Sequence, residues 1–248
     1  MTSSEAVEKV KELKAEIRRR IWKQMEETNV ARFPRPVFGR IPNFVGAETA
    51  ATKLICLSQF QDASVVKVNP DAPQRMIRYR ALSMGKVVLT PTPRLRGSFL
   101  LLDPSELPSR SALRASSIAG SFQFGKRISL HELPEVDLVV VGCVAVSPNG
   151  ARLGKGEGYG EIEYAILREK NRVDDAVPVV TTVHDSQILE VVPWEAHDVP
   201  VDLIITPSKI LPTGTTLPKP NGIFWERLSE EKLKEIPILR ELRDDASR

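Results

Sequence analysis

Short apolar runs alternate with amphipathic stretches along most of this chain. Residues 64–68, 87–90, 99–102, 137–143, 177–183 and 203–206 are rich in Val, Leu and Ile at successive positions. Such unbroken runs predict strands covered on both faces, as in a parallel sheet. Helix patterns lie between them, at about 47–57, 74–84, 110–119 and 162–171. Ahead of all these, Val7, Val10, Leu13, Ile17, Ile21 and Met25 recur at spacings of three and four, predicting one long amphipathic helix over 5–28. Lys14, Arg18 and Trp22 follow at i+4 along the edge of that stripe. Prolines across 33–44 exclude a helix there and predict an extended, wrapping segment. Alternating β and α elements imply an α/β fold: an open, mostly parallel sheet flanked by helices. The expected organisation is a single domain over 1–248, opening with the helix and Pro-rich segment of 1–46 and ending in a frayed tail over 244–248.

Composition narrows the picture. The chain has 248 residues, 27% charged and 42% hydrophobic, with a net charge of +3. It can bury a large core. Its two cysteines, Cys56 and Cys143, lie far apart and exclude a zinc ribbon. The longest apolar run, 138–146, is too short to span a membrane. The polar N-terminus predicts no signal peptide and a cytoplasmic location. The charge is unevenly placed: residues 75–127 carry net +8 and residues 157–202 net −8. A basic region beside an acidic one suits a polyanion bridged by a divalent cation, or two solvated faces.

The most informative segment is a glycine loop. Gly154, Gly156, Gly158 and Gly160 alternate between the 137–143 strand and a helix, so backbone N–H groups can converge without Cβ obstruction. Arg152 and Lys155 add positive charge where phosphates would lie. No Gly-Lys-Ser/Thr occurs, which excludes a P-loop, and the third glycine of a dinucleotide fingerprint is missing. The two His-Asp pairs, His184-Asp185 and His197-Asp198, fall at strand ends and predict packing rather than metal ligation; His131 is expected at the surface.

The segment Arg152-Leu-Gly-Lys-Gly-Glu-Gly-Tyr159 resembles the nucleotide loop of 5-formyltetrahydrofolate cyclo-ligases. The resemblance extends to Lys14-x-x-Ile-Arg18, to the strand before the loop, and to Glu195-Ala-His-Asp198-x-x-Val-Asp202. It implies a fold of the NagB/RpiA/CoA-transferase-like type. It also implies an ATP- and Mg²⁺-dependent closure of 5-formyltetrahydrofolate to 5,10-methenyltetrahydrofolate, in which the formyl oxygen is phosphorylated and N10 attacks. By resemblance Lys14, Arg152 and Lys155 are catalytic. ATP would be held by Lys14, Arg18, Arg152, Leu153, Gly154, Lys155, Gly156, Glu157, Gly158, Tyr159 and Gly160. Glu161 and Asp198 take the magnesium positions, and Val66, Asp71, Arg94 and Tyr159 the folate-like substrate.

The sequence also departs from that family. The usual Tyr-Tyr-Asp reads Tyr159-Gly160-Glu161, Asp71 stands near an expected glutamate, and the 33–44 segment is an insertion. In these it resembles the divergent branch of methenyltetrahydrofolate synthase domain-containing proteins. That branch implies an alternative: a paralogue without cyclo-ligase activity, acting on a thiamine-related or other N-formyl compound. A nucleotide- or RNA-binding protein without turnover is a further alternative. No membrane partner is expected.

Overall fold

The computed structural model describes residues 3–246. Helix α1 runs Ser3–Glu27 and leads into two-residue strands β1 (Ala31–Arg32) and β2 (Asn43–Phe44), which pair antiparallel. That ladder closes the Pro-rich segment into a loop, so the segment turns back on itself where an extended run was expected. There follow α2 (Ala47–Ile55), α3 (Ser58–Gln61), β3 (Val65–Val68), α4 (Arg75–Ser83), β4 (Val87–Pro91) and β5 (Phe99–Leu102). Next come α5 (Ala112–Ala115), α6 (Ile118–Phe124), β6 (Lys126–Ile128) and β7 (Leu138–Val141). The hairpin β8 (Ala145–Val146) and β9 (Arg152–Leu153) precedes α7 (Tyr159–Glu169). Strands β10 (Val179–Thr182), β11 (Leu203–Ile205) and β12 (Ile210–Pro212) and helices α8 (Glu230–Glu235) and α9 (Pro237–Ala246) complete the chain. The expected frayed tail is therefore helical as far as Ala246, and Ser247 and Arg248 lie outside the described residues.

Eight strands form one sheet in the order β12-β11-β10-β7-β3-β4-β5-β6. The five central strands run parallel, and antiparallel strands finish both sides. The period-2 geometry of a strand explains the unbroken apolar runs. In β7, Leu138 and Val140 pack on one face with Ile17, Ile21 and Met25 of α1, Leu54 of α2 and Ile77 of α4. Val139 and Val141 point to the other face, against Tyr164, Ile166 and Leu167 of α7 and Leu239 and Leu242 of α9. Both faces are thus roofed by helices, as the sequence pattern predicts.

Three local expectations change. The helix expected over 110–119 is two helices, because the Ser117 side chain accepts a hydrogen bond from Gly120 N at 3.0 Å and starts α6 anew. Only the second half of the α1 stripe packs on the sheet: Val7 and Leu13 are nearly half exposed. Lys14 and Trp22, expected along the edge of the apolar stripe, are buried, and Trp22 Nε1 donates to the Arg40 carbonyl at 2.9 Å. No helix among the described residues is long and apolar enough to cross a membrane.

Candidate functional site

A cleft of about 1320 Å³ opens over the carboxyl ends of β3 and β7. That is the edge where open α/β sheets take ligands, and the volume exceeds the roughly 300–1,000 Å³ usual for one small molecule. The glycine loop enters it from β9. Gly156 has φ +102° and Gly158, capping α7, has φ +74°, conformations that side chains beyond glycine resist. Arg18 lies along this loop: its Nε donates to the Gly154 carbonyl at 2.8 Å. A Cβ on Gly156 would sit 3.2 Å from the Arg18 guanidinium carbon. The open amides of the first turn of α7 and the positive end of its dipole face the same loop.

The structure brings most of the expected site residues together. Lys14, Arg18, Asp71, Arg94, Glu161 and Asp198 line the cleft, as do Arg152, Leu153, Gly154, Lys155, Gly156, Glu157, Gly158, Tyr159 and Gly160. Val66 does not: it is fully buried in β3 among core side chains, because alternation along the strand turns it toward the core under α1 and α4. The expectation that it walls the substrate pocket is corrected.

The cations are less free than their spacing suggested. Lys14 is buried, with its Nζ 2.5 Å from Asp198 Oδ2 and 2.9 Å from Glu195 Oε2. Arg152 is buried and donates to Glu161, to the Gly142 carbonyl at 3.0 Å and to the Val199 carbonyl at 3.2 Å. It fixes the loop to its surroundings instead of standing open to a ligand. Lys155 pairs with Glu157 at 2.7 Å, and Arg94 lies 3.5 Å from both Glu157 and Glu235. Tyr159 is tucked beneath α8, its ring 3.6 Å from the Lys232 ammonium, and so presents little surface to a substrate.

The two carboxylates expected to bind metal face one cleft without lying idle, since Arg152 holds Glu161 and Lys14 holds Asp198. Burial pushes Glu161 up, but Arg152, a backbone N–H and Lys14 outweigh it and leave the group below its ordinary value. Among the described residues no three His, Cys, Asp or Glu side chains gather as a metal-ligand set. A cation here would draw its remaining oxygens from a ligand and water, the usual habit of Mg²⁺ beside phosphates.

Several residues at the site were not anticipated. Lys67 is fully buried in β3, with its Nζ 2.6 Å from Glu163 Oε2 and 3.1 Å from Asn69 Oδ1; Asn69 Nδ2 donates to the same carboxylate oxygen at 2.8 Å. This cluster floors the cleft beside Asp71. Burial pushes both Asp71 and Glu163 above the ordinary carboxylate range, although Lys67 pulls each down. The sequence signal was present, because a lone lysine inside an apolar strand needs a buried counter-charge. His197, expected only to pack, lines the cleft, whereas His184 packs edge-on against Phe44. The Pro-rich loop supplies Pro34, Phe38 and Ile41 to the cleft wall.

Comparison with known proteins gives this geometry a setting. Residues 10–207 match the model of the 5-formyltetrahydrofolate cyclo-ligase family. The chain is 47% identical over 235 residues to the methenyltetrahydrofolate synthase domain-containing protein of Mus musculus, covering 93% of this chain and 63% of that one. To the Homo sapiens protein of the same name it is 44% identical over 234 residues, covering 93% and 61%. It therefore spans less than two thirds of the length of these relatives. Its fold is similar to the NMR structure of Aquifex aeolicus 5,10-methenyltetrahydrofolate synthetase, with a TM-score of 0.52 and 20% identity over 81% of this chain and 93% of that one. The family match takes in Lys14, Arg18, the whole glycine loop and Asp198, the same residues that converge on the cleft. On that match, the chain belongs to the 5-formyltetrahydrofolate cyclo-ligase family.

Proposed function

We propose that the chain is an ATP- and Mg²⁺-dependent enzyme of cyclo-ligase type, acting on a folate-like N-formyl compound to form a methenyl product, ADP and phosphate. One observation carries this reading: the glycine loop, Arg18 and the Lys14–Asp198 pair come from three distant parts of the chain and open into a single cleft. The residues present fit a magnesium-bound polyphosphate. The α7 N-terminus, Lys155 and Arg18 would hold its oxygens, and Asp198 and Glu161 lie where a divalent ion would meet it. Bound MgATP would supply the phosphoryl group that makes a formyl oxygen a leaving group. The protein contributes position and charge. Lys14 is held rigidly by two carboxylates, and Arg152 fixes Glu161 and the strand ends around it.

The second substrate would occupy the side of the cleft walled by Phe38 and Ile41 and floored by Asp71 and Glu163. Asp71, raised by burial, suits contact with a polar heterocycle edge, and Phe38 and Ile41 suit its face. The Tyr159-Gly160-Glu161 departure favours, as a second reading, an N-formyl substrate that differs from 5-formyltetrahydrofolate. The test is a direct optical assay for methenyl product from 5-formyltetrahydrofolate with MgATP. Product formed only with both ATP and Mg²⁺ supports the first reading. ATP binding without product supports the second, and no nucleotide binding overturns both.

A further inference from the structure

Arg227 lies twenty residues beyond the end of the family match, between β12 and α8, yet it lines the cleft. Its Nη1 donates to Glu195 Oε1 at 2.7 Å and to His197 Nδ1 at 3.0 Å. Both partners lead to the same carboxylate. Glu195 also binds Lys14 at 2.9 Å, and Lys14 binds Asp198 Oδ2 at 2.5 Å. On the other side His197 Nε2 lies 3.7 Å from Asp198 Oδ1. The five side chains close a ring: Arg227, Glu195, Lys14, Asp198, His197 and back to Arg227.

The ring has a direction set by hydrogen-bond chemistry. An arginine only donates, so His197 Nδ1 must accept and carries no proton. The proton of the neutral ring is then on Nε2, facing Asp198. Charge alternates over four of its members, Arg227, Glu195, Lys14 and Asp198, and the neutral His197 bridges the two ends. Without Arg227, Lys14 would be the ring's one cation between two carboxylates, and the ring itself would turn net negative.

We propose that Arg227 is a positioning residue for the Lys14–Asp198 pair, closing from outside the family-matched region a ring that keeps both groups aimed at the ligand. This rests on the nucleotide reading above. Arg227 acts through Glu195 and His197, so its removal should weaken ligand binding with little loss of fold, because its side chain is 42% exposed.

The test is calorimetry with MgATP and with inorganic tripolyphosphate on the full chain. Arg227→Gln should weaken both by about tenfold, the scale of one charge-assisted contact. Arg227→Lys, able to hold Glu195 without spanning to His197, should fall between. Glu195→Gln combined with Arg227→Gln should cost no more than the larger single change, as coupled members of one network do. A second readout needs no ligand. The ¹⁵N resonances of His197 at about pH 8.5, roughly two units above the ordinary histidine value, should show a protonless Nδ1 that shifts in Arg227→Gln. Wild-type binding that Arg227→Gln equals, additive losses in the double variant, or a proton on Nδ1 overturns the inference and leaves the nucleotide reading standing. Wild-type protein that binds neither probe overturns both.

Discussion

Replacing Lys67 by methionine tests whether the cleft floor is held by a buried ion pair. The ammonium is inaccessible to solvent and Glu163 nearly so, and they meet at 2.6 Å with Asn69 bonded to both. Methionine fills similar volume, so packing loss is small and the effect isolates the charge. Removing one partner of a buried pair costs about 3–5 kcal/mol, because the remaining ion stays desolvated and uncompensated. For a chain of this length that is a fall in Tm of about 6–20 °C. The sign of the pH dependence follows from Glu163, whose carboxyl is already raised by burial and loses its main opposing charge with Lys67. A carboxyl raised in the folded state binds protons more readily there than in the unfolded chain. The penalty should therefore be smallest below the ordinary glutamate value and grow as pH rises through the raised one. Chemical denaturation of Lys67→Met at pH 5 and pH 8 measures this. Lys67→Met combined with Glu163→Gln should recover most of the loss, since no unpaired charge remains. A single variant within about 1 kcal/mol of wild type at pH 8, or a double variant as unstable as Lys67→Met, would refute the reasoning.

Other outcomes are expected. Lys14→Ala should lower Tm as well as MgATP affinity, because Asp198 and Glu195 lose the cation between them, whereas half-buried Arg18→Ala should affect affinity more than stability; paired thermal shifts and calorimetry separate the two. Gly158→Ala has open space around its Cβ and should cost only the left-handed strain of about 1–2 kcal/mol. Gly156→Ala adds contact with Arg18 and should weaken MgATP binding further than Gly158→Ala does, read by the same titration. Glu195, held down to about 2 against its burial by Arg227 and Lys14, stabilises the fold above the ordinary glutamate value. That contribution should be lost as pH falls toward 2, and Glu195→Gln should flatten the acid limb of the stability curve.

The central strands were legible in the sequence because double-sided burial writes itself as unbroken Val, Leu and Ile. The edges were not. Strand β12 is only Ile210-Leu211-Pro212, largely solvent-facing, and β6 begins with two exposed cations, so neither shows the long apolar run of a buried strand. Helices α8 and α9 are dominated by charges, and their contribution rests on few residues, such as Leu239 and Leu242. At the site, glycine spacing announces the loop because the backbone itself imposes it. Lys14 and Arg18 could be placed on one helix face, but their burial depends on what lies opposite. Arg227 left no local trace at all, since a single arginine in an irregular stretch acquires meaning only from Glu195 and His197 across the cleft.

The ring of side chains also fixes an order of events in time. Its first member is residue 14 and its last residue 227, with Glu195, His197 and Asp198 close to the second of these. At synthesis rates of about 5–20 residues per second, Lys14 emerges roughly 10–40 s before Arg227 exists. Until Glu195 and Asp198 are made, 181 and 184 residues later, the helix carrying Lys14 has a cation on the face that must later be buried, without the two carboxylates that meet it. The helix that carries Lys14 is therefore made well before the residues that lock its cation down. A nascent chain completes this cleft only after Arg227 has been made.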